Sequence, residues 1–373
     1  MKIAVNTRFL VKDRLEGIGW FTYEHMKRIV AAHPEHEFYF LFDRAFDKEF
    51  IFASNVHPVL VRPPASYPLL WIAWFEWALP RVIRKINPDV FFSPDGFLSL
   101  KLNIPQVAAI HDINFYHRSN DVALIEGWYL KHFFPQFASK ARRIVTVSEY
   151  SKQDISSSFA VSADKIDVVY NGAHENYRVL TEEEKNGTRA RYSMGSEYFL
   201  FIGAQHPRKN IDGLLKAFNQ FKTTFQTDHK LIIVGEKKFL SQQVEDTYKA
   251  MEYKNEVLFT GRLSSENIAL VMGSALALVF IPFFEGFGIP MAEAMYAEIP
   301  IIASNTTSMP EVAGEAAIYT DPTDLNSIVE AMNRIASDAN LRNQLVVNGR
   351  KRRMAYNWDV SAKALWNAIE RSL

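Results

Sequence analysis

Two pairs of charged residues stand where strand-like runs give way to helix-like ones. Glu285 and Glu293 bracket Gly286-Phe287-Gly288-Ile289-Pro290, just after the apolar run Ala275 to Ile281. The two glycines suit a sharp strand-to-helix turn, and Pro290 suits a first helical position. Such a turn presents bare backbone N–H groups at a helix N-terminus, which attract anions and oxygens. Glu285 falls on the loop and Glu293 about one turn inside the helix, so both can serve one cleft. Carboxylates there accept hydrogen bonds from neutral polyols such as sugar hydroxyls. The second pair, Arg208 and Lys209, follows Phe201-Ile202-Gly203-Ala204-Gln205-His206-Pro207 and opens a helical pattern from Ile211 to Phe221. An arginine forks to two oxygens and a lysine adds a point charge, so the pair suits a diphosphate. Taken singly, such pairs are usually solvated surface charges of little energy. Their shared placement at strand-to-helix crossings of one half-chain argues for more.

The elements that must position these residues alternate strand with helix through the whole chain. At 373 residues two domains are expected. In the first half, Ile3–Asn6, Phe38–Phe42, Pro58–Val61, Val90–Ser93, Val107–Ile110 and Ile144–Val147 read as short strands. The second half restarts the pattern with Tyr198–Ile202, Leu231–Val234, Val257–Phe259, Leu276–Ile281, Ile301–Ala303 and Ala317–Tyr319. Alternation of this kind implies parallel sheets covered on both faces, with ligands at the carboxyl ends of the strands. The polar run Thr181 to Gly187 reads as the linker, giving domains 1–180 and 190–357. The tail 358–373 is helical by pattern (Ala362, Leu365, Trp366, Ile369) and is expected to cross back to the first domain.

Composition excludes several classes. Basic and acidic residues balance at 42 each, which gives no reason to expect a nucleic-acid partner. The absence of cysteine rules out disulfides and thiolate catalysis. The opening Met1 to Asn6 reads as a first strand rather than a signal peptide, and no transmembrane helix is expected. No Asp-x-Asp loop is present to hold a divalent ion on a diphosphate, so no metal and no cofactor is expected.

Two features admit a plain and a functional reading. His111-Asp112 follows the strand Val107–Ile110; His111 is either a hydrogen-bonded structural residue or a catalytic one. Asp112 either orients the His111 ring or caps the next turn. Trp71, Trp74, Phe75 and Trp77, then Arg81, Arg84 and Lys85, form either a core helix with a wet basic end or an interfacial helix. The core helix is the favoured reading. In the other, this helix with Lys131, Lys140, Arg142 and Arg143 would face a membrane carrying a lipid-linked acceptor.

The ordered set Arg208-Lys209, then Glu285-Gly-Phe-Gly-Ile-Pro with Glu293, then Ser308-Met309-Pro310-Glu311-Val312 resembles family 4 of the retaining, nucleotide-sugar-dependent glycosyltransferases. Gly17-Ile18-Gly19, His111-Asp112, Val147 to Lys152 and Asn171-Gly172 resemble that family's markers in the first half. The resemblance implies an α/β chain of GT-B fold: two facing Rossmann-like domains, with the C-terminal helix returning to the first. Within the family the chain looks most like bacterial mannosyltransferase-type enzymes of surface polysaccharide synthesis.

Residue by residue, the resemblance implies that Arg208 and Lys209 bind the donor diphosphate, with Gly17 and Gly19 near it. It gives Glu293 the ribose hydroxyls. Glu285 and the backbone of Gly286, Phe287 and Gly288 would hold the transferred sugar, and His111 would lie beside the anomeric centre. Backbone near Gly261, Arg262 and Leu263 would read the base. One departure is Ala204, where many members carry an arginine after the glycine. The resulting expectation is a metal-independent, retaining hexosyltransferase using a GDP- or UDP-linked donor, with mannose favoured. Its acceptor would be a glycan or lipid-linked, for O-antigen, capsule or exopolysaccharide synthesis. A cytoplasmic location is expected, with peripheral contact at the inner face of the membrane as an extension of it. Two rivals are a nucleotide-sugar epimerase of the same fold, acting without an acceptor, and a two-lobed sugar-binding protein without catalysis.

Overall fold

The computed structural model describes residues 1–65, 67–236 and 242–373. The chain forms two compact units, one of Met1–Asn171 with Asn357–Leu373 and the other of Gly172–Tyr356.

The first unit holds a seven-stranded sheet: β1 (Lys2–Asn6), β2 (Glu37–Phe42), β3 (Val56–Leu60), β4 (Val90–Ser93), β5 (Gln106–Ala109), β6 (Arg143–Thr146) and β7 (Ile166–Val168). Their order is β3-β2-β1-β4-β5-β6-β7, with every pairing parallel and Ile3 opposite both Phe38 and Val90. The second unit holds β8 (Tyr198–Ile202), β9 (Lys230–Val234), β10 (Val257–Gly261), β11 (Ala277–Phe280), β12 (Ile301–Ser304) and β13 (Ala317–Thr320). Here the order is β10-β9-β8-β11-β12-β13, again all parallel. Every residue of β4, β5, β8, β11 and β12 is buried, as a sheet covered by helices on both faces requires. Each sheet reverses direction of winding once, between β1 and β4 and between β8 and β11. Ligands of doubly wound sheets bind outside the strand ends at such switch points.

The strand runs read from the sequence match these strands within two residues, and β7 is an addition to them. The boundary is displaced. Thr181 to Gly187 is no linker: Glu182–Ser193 is a helix, and Thr181 with Glu184 forms its capping box. Three glutamates in its first turn favour the positive end of the helix dipole, so a charge run that resembles a linker instead starts a helix. The chain passes between units at Asn171–Gly172, and again at Tyr356–Asn357.

The returning tail is the helix Trp358–Glu370, which belongs to the first unit. Its Ser361 Oγ lies 2.7 Å from Nε2 of the buried His25, on the helix Gly17–Ala32, and Trp358 meets the same ring edge-on at 5.3 Å. His25 Nδ1 lies 2.7 Å from the Phe21 carbonyl, and burial pushes its pKa down to about 3. A neutral imidazole therefore pins the last helix to the first.

The aromatic segment is a core element, in the favoured reading. Pro68–Ala73, a π-helical turn Trp74–Ala78 and Leu79–Ile86 run on as one bulged helix that accommodates Pro80. Trp74 and Phe75 are fully buried and Trp71 is half-buried, whereas Trp77 departs from the core reading at 55% exposed. Glu76 accepts the Leu100 N–H at 2.8 Å, which explains a carboxylate in an apolar run.

Candidate active site

At the switch point of the second sheet, β8 and β11 lie side by side and release two loops from their carboxyl ends. The loop after β8 runs to the short turn Pro207–Lys209, then to Asn210, which caps the helix Ile211–Phe225. Asn210 adopts the left-handed conformation (φ 59°), accepts the Gly213 N–H and donates to the Pro322 carbonyl at 2.8 Å. The loop after β11 crosses to meet it: the Phe283 N–H donates to the Arg208 carbonyl at 2.8 Å. Ser308 Oγ donates to the Glu285 carbonyl at 2.8 Å, so the Ser-Met-Pro-Glu segment braces the loop from behind.

Glycine is required at two of these turns. Gly235, after β9, has φ 141°, and a Cβ there would lie 2.0 Å from the Gly203 carbonyl oxygen, so the ends of β8 and β9 touch backbone to backbone. Gly288 has φ 85°, and a Cβ would press on Met291, Met309 and Phe280 at 3.0–3.1 Å. It sits immediately before the helix Ile289–Tyr296, whose N-terminus carries Pro290 and has no side-chain cap.

The charges converge. Arg208 donates to Glu285 at 2.5 Å and to the Phe284 carbonyl at 3.1 Å, and the Lys209 ammonium bonds the same Glu285 oxygen. Lys209 also lies 4.7 Å above the centre of the Phe280 ring. Burial alone would push the Glu285 carboxyl up, but the two cations outweigh it and hold it below its usual range. Glu293, on the next helix, pairs with no cation among the described residues. Burial pushes its carboxyl up to about 7, moderated by a hydrogen bond from Tyr177. Tyr177 is itself buried, and its hydroxyl is held far above the ordinary range by burial and by Glu293.

Gly261, Arg262 and Leu263 close β10 on the same sheet edge. The Gly261 carbonyl accepts the Gly235 N–H at 3.0 Å, with φ 70° at Gly261, and Arg262 pairs with Glu236 at 3.3 Å. Ala204 is exposed at the carboxyl end of β8. The structure therefore brings Arg208, Lys209, Glu285, Gly286, Phe287, Gly288, Glu293 and the 261–263 turn to one edge of one sheet.

In the first unit, Gly17 and Gly19 occupy the first turn of their helix, and a Cβ on Gly19 would come within 2.9 Å of the Phe9 carbonyl. His111 leaves β5 with Nε2 2.8 Å from the Pro94 carbonyl and its ring edge-on to Phe21 at 4.7 Å. A carbonyl only accepts, so Nε2 carries the proton and Nδ1 is the acceptor. Burial depresses the His111 pKa, against the Pro94 bond and the nearby Asp112 and Asp95. Asp112 takes the capping role: its Oδ1 accepts the Asn114 N–H at 3.0 Å and the Asn114 side chain at 2.8 Å.

Two features escaped sequence reading. Tyr177 lies in an irregular stretch with no motif. Arg8, two residues past β1, is buried on Asp95 at 2.5 Å, beneath Phe9, Phe75, Phe97 and Trp71 with ring centres 4.4–5.9 Å away. Its position beside a switch point was the available signal. Among the described residues, His33, Glu35 and His36 are the grouping close enough to share a metal ion, and they stand just beyond the carboxyl end of the helix Gly17–Ala32.

Residues 15–176 match the model for Glycosyltransferase Family 4, and residues 183–352 match that for Glycosyl transferases group 1. The chain is a family 4 glycosyltransferase. The transferase is 26% identical to the O-antigen chain mannosyltransferase B of Escherichia coli, over 99% of this chain and 100% of that one. It is 28% identical to the O-antigen chain mannosyltransferase RfbU of Salmonella typhimurium, over 72% of this chain and 71% of that one. Solved structures place its fold among GT-B enzymes. Sucrose-phosphate synthase of Thermosynechococcus elongatus aligns with a TM-score of 0.81 at 16% identity, over 99% of this chain and 98% of that one. HepE of Anabaena, solved with UDP and glucose, aligns at 0.78 and 15% identity, over 99% of each chain.

Proposed function

We propose that this glycosyltransferase moves a hexose, with mannose favoured, from a nucleoside diphosphate sugar to a glycan or lipid-linked acceptor in bacterial surface polysaccharide synthesis. The observation that carries the reading is the meeting of Arg208, Lys209 and Glu285 at the switch point of the second sheet, with Glu293 on the helix that leaves the same loop. Cations there suit the diphosphate and carboxylates suit hydroxyls. The choice of mannose rests on the names of the relatives.

Arg208 and Lys209 neutralise the leaving diphosphate, together with the N-terminus of the helix Ile289–Tyr296, without need of a metal or cofactor. Since Glu285 holds both cations in their place, an incoming diphosphate takes over part of that pairing and turns the carboxylate toward the sugar. Glu293 accepts from the ribose, and the backbone of Gly261 to Leu263 reads a GDP or UDP base. The transfer breaks the bond between the anomeric carbon and the phosphate oxygen, and that oxygen keeps the electron pair. The acceptor hydroxyl forms the new bond on the same face and passes its proton to the departing phosphate, so configuration is retained. His111 Nδ1, unprotonated at neutral pH, accepts a hydroxyl of the moving sugar. Gly17 and Gly19 stand near the donor diphosphate, the first unit takes the acceptor, and the work is done in the cytoplasm.

A donor panel tests this directly: GDP-, UDP- and ADP-linked hexoses with an acceptor glycan, scored by release of nucleoside diphosphate and by product mass. A hexose added to the acceptor from GDP-mannose supports the full reading. Diphosphate release with another sugar keeps the transferase and removes mannose. Conversion of the donor sugar without any acceptor would establish the epimerase instead. Binding without turnover of any donor would leave a sugar-binding protein.

A further inference from the structure

The helix Leu124–Lys140 presents an outer face whose composition is unusual for a water-facing helix. Leu124 is 92% exposed, Ile125 67% and Trp128 61%, all within its first two turns. Exposed large apolar residues are ordinary when scattered, but three together on one helical end call for a partner. Following Trp128 around the same face come Lys131 and His132, both exposed, with Gln136 and Ser139 beyond. Lys140 ends the helix and Arg142 follows it, also exposed. Among the described residues, Lys131, Lys140 and Arg142 have no ion-pair partner, and the face carries no exposed carboxylate. The helix has one acid, Glu126, which is half-buried and pushed by burial toward its neutral form.

The apolar tip is anchored to the core beneath it. Tyr129, one residue on, is buried and lies edge-on to Trp71 at 5.3 Å, and Trp128 stacks on His132 with ring centres 5.5 Å apart. The exposed Tyr67, at the entry to the Trp71 helix, adds an amphipathic ring on the neighbouring segment. The tip also has a defined address. The chain leaves β5 at its carboxyl end, passes His111, and reaches Leu124 through the short turns Asn114–His117 and Ser119–Asp121. Leu124, Ile125 and Trp128 thus stand on the side of the first sheet from which His111 emerges.

We propose that this face docks the protein on an anionic lipid bilayer, with Leu124, Ile125 and Trp128 entering the interfacial layer and Lys131, Lys140 and Arg142 meeting the headgroups. An apolar tip, a tryptophan at the boundary and unpaired cations without opposing carboxylates match such a surface in both polarity and charge. A second copy of the chain would bring the same cations against themselves, which disfavours self-association through this face. The membrane-facing element is then this helix, rather than the Trp71–Lys85 helix whose aromatics Trp74 and Phe75 are core. Docking here would bring the loop of His111 close to acceptors anchored in the membrane. This inference is independent of which sugar is transferred.

The test is flotation of the full chain with vesicles of phosphatidylethanolamine and phosphatidylglycerol, beside vesicles of phosphatidylcholine alone. The expected result is co-flotation with the anionic vesicles, weakened by salt, and little with phosphatidylcholine. Leu124→Ser, Ile125→Ser and Trp128→Ser combined should reduce bound protein at least tenfold, and Lys131→Glu should reduce it several-fold. An unchanged melting temperature and unchanged donor binding would show that the variants are folded. The inference is overturned if the wild type stays with neither vesicle, or if the folded triple variant floats like the wild type. It is equally overturned if the wild type is a dimer in solution that the triple variant splits, since that makes a second copy the occupant.

Discussion

Glu285 and Glu293 leave the same sheet edge eight residues apart, yet their surroundings push them in opposite directions. The loop after β11 faces the loop after β8, and there Glu285 meets two cations that keep it ionised. The helix that follows packs its apolar side inward, and there Glu293 lies against Tyr177, so burial keeps it close to half-protonated at neutral pH. The lesson is that a carboxylate's role follows from what the neighbouring strand brings opposite it. A charged loop makes an electrostatic component, whereas a helix flank makes a hydrogen-bond acceptor whose charge depends on pH.

The largest effect should come from the loop. Glu285→Ala is expected to lower turnover by about 10²–10³, the scale of removing a preorganised electrostatic contact at a transition state. Binding of free nucleoside diphosphate should hold or tighten, because Arg208 and Lys209 are released from their internal partner. Steady-state kinetics beside calorimetry of diphosphate binding separates the two, and a parallel fall in both would erase the distinction between the glutamates.

Glu293→Ala should act mainly on affinity. Losing hydrogen bonds to a charged acceptor costs roughly 1.5–3 kcal/mol, or about 10- to 100-fold in the Kd of the nucleotide sugar. Turnover at saturation should change far less. If instead kcat fell with Kd unmoved, Glu293 would belong with the reacting sugar.

A pH series sharpens the contrast further. Burial raises the Glu293 pKa from 4.5 to about 7, so protonation below about 7 removes an acceptor that ribose hydroxyls need. Nucleotide affinity is expected to weaken as pH falls through that value, by at most about tenfold per unit. Glu293→Gln should flatten the profile. Folding stability runs the other way. Because the folded-state pKa is the higher one, this group's contribution is fully present below 4.5 and lost as pH rises through about 7.

The smallest effect is expected at Tyr177→Phe. Tyr177 lowers the Glu293 pKa, so its loss should move the midpoint of the affinity profile upward and weaken binding near neutrality by about two- to fivefold, the size of one hydrogen bond. A profile that does not move would show that burial alone sets the charge of Glu293.

Much of this site was legible in one dimension because its parts are local. Arg208-Lys209 and Gly286 to Pro290 are strand-to-helix turns, and turns are governed by the conformations that glycine, proline and a capping residue allow. The helicity of the last segment was legible from its apolar spacing, and its return to the first unit followed from the two-domain organisation that the family resemblance implies. Thr181 to Glu184 misled because a capping box and a linker share the same polar composition. Tyr177 and Arg8 were missed for a different reason: their partners, Glu293 and Asp95, are distant in sequence, and only folding makes them neighbours.

The sequence by itself determined the two parallel sheets, the strand ends at which chemistry collects, and the family to which the chain belongs, since each depends on periodicity and turn chemistry within short windows. Tertiary structure alone decided that Glu285 is held by two cations while Glu293 is buried against Tyr177, that Asp112 caps a turn rather than orienting His111, and that Trp74 is core while Trp128 is exposed. Those are questions of charge, burial and partner, and each is answered by residues that the chain brings in from far away.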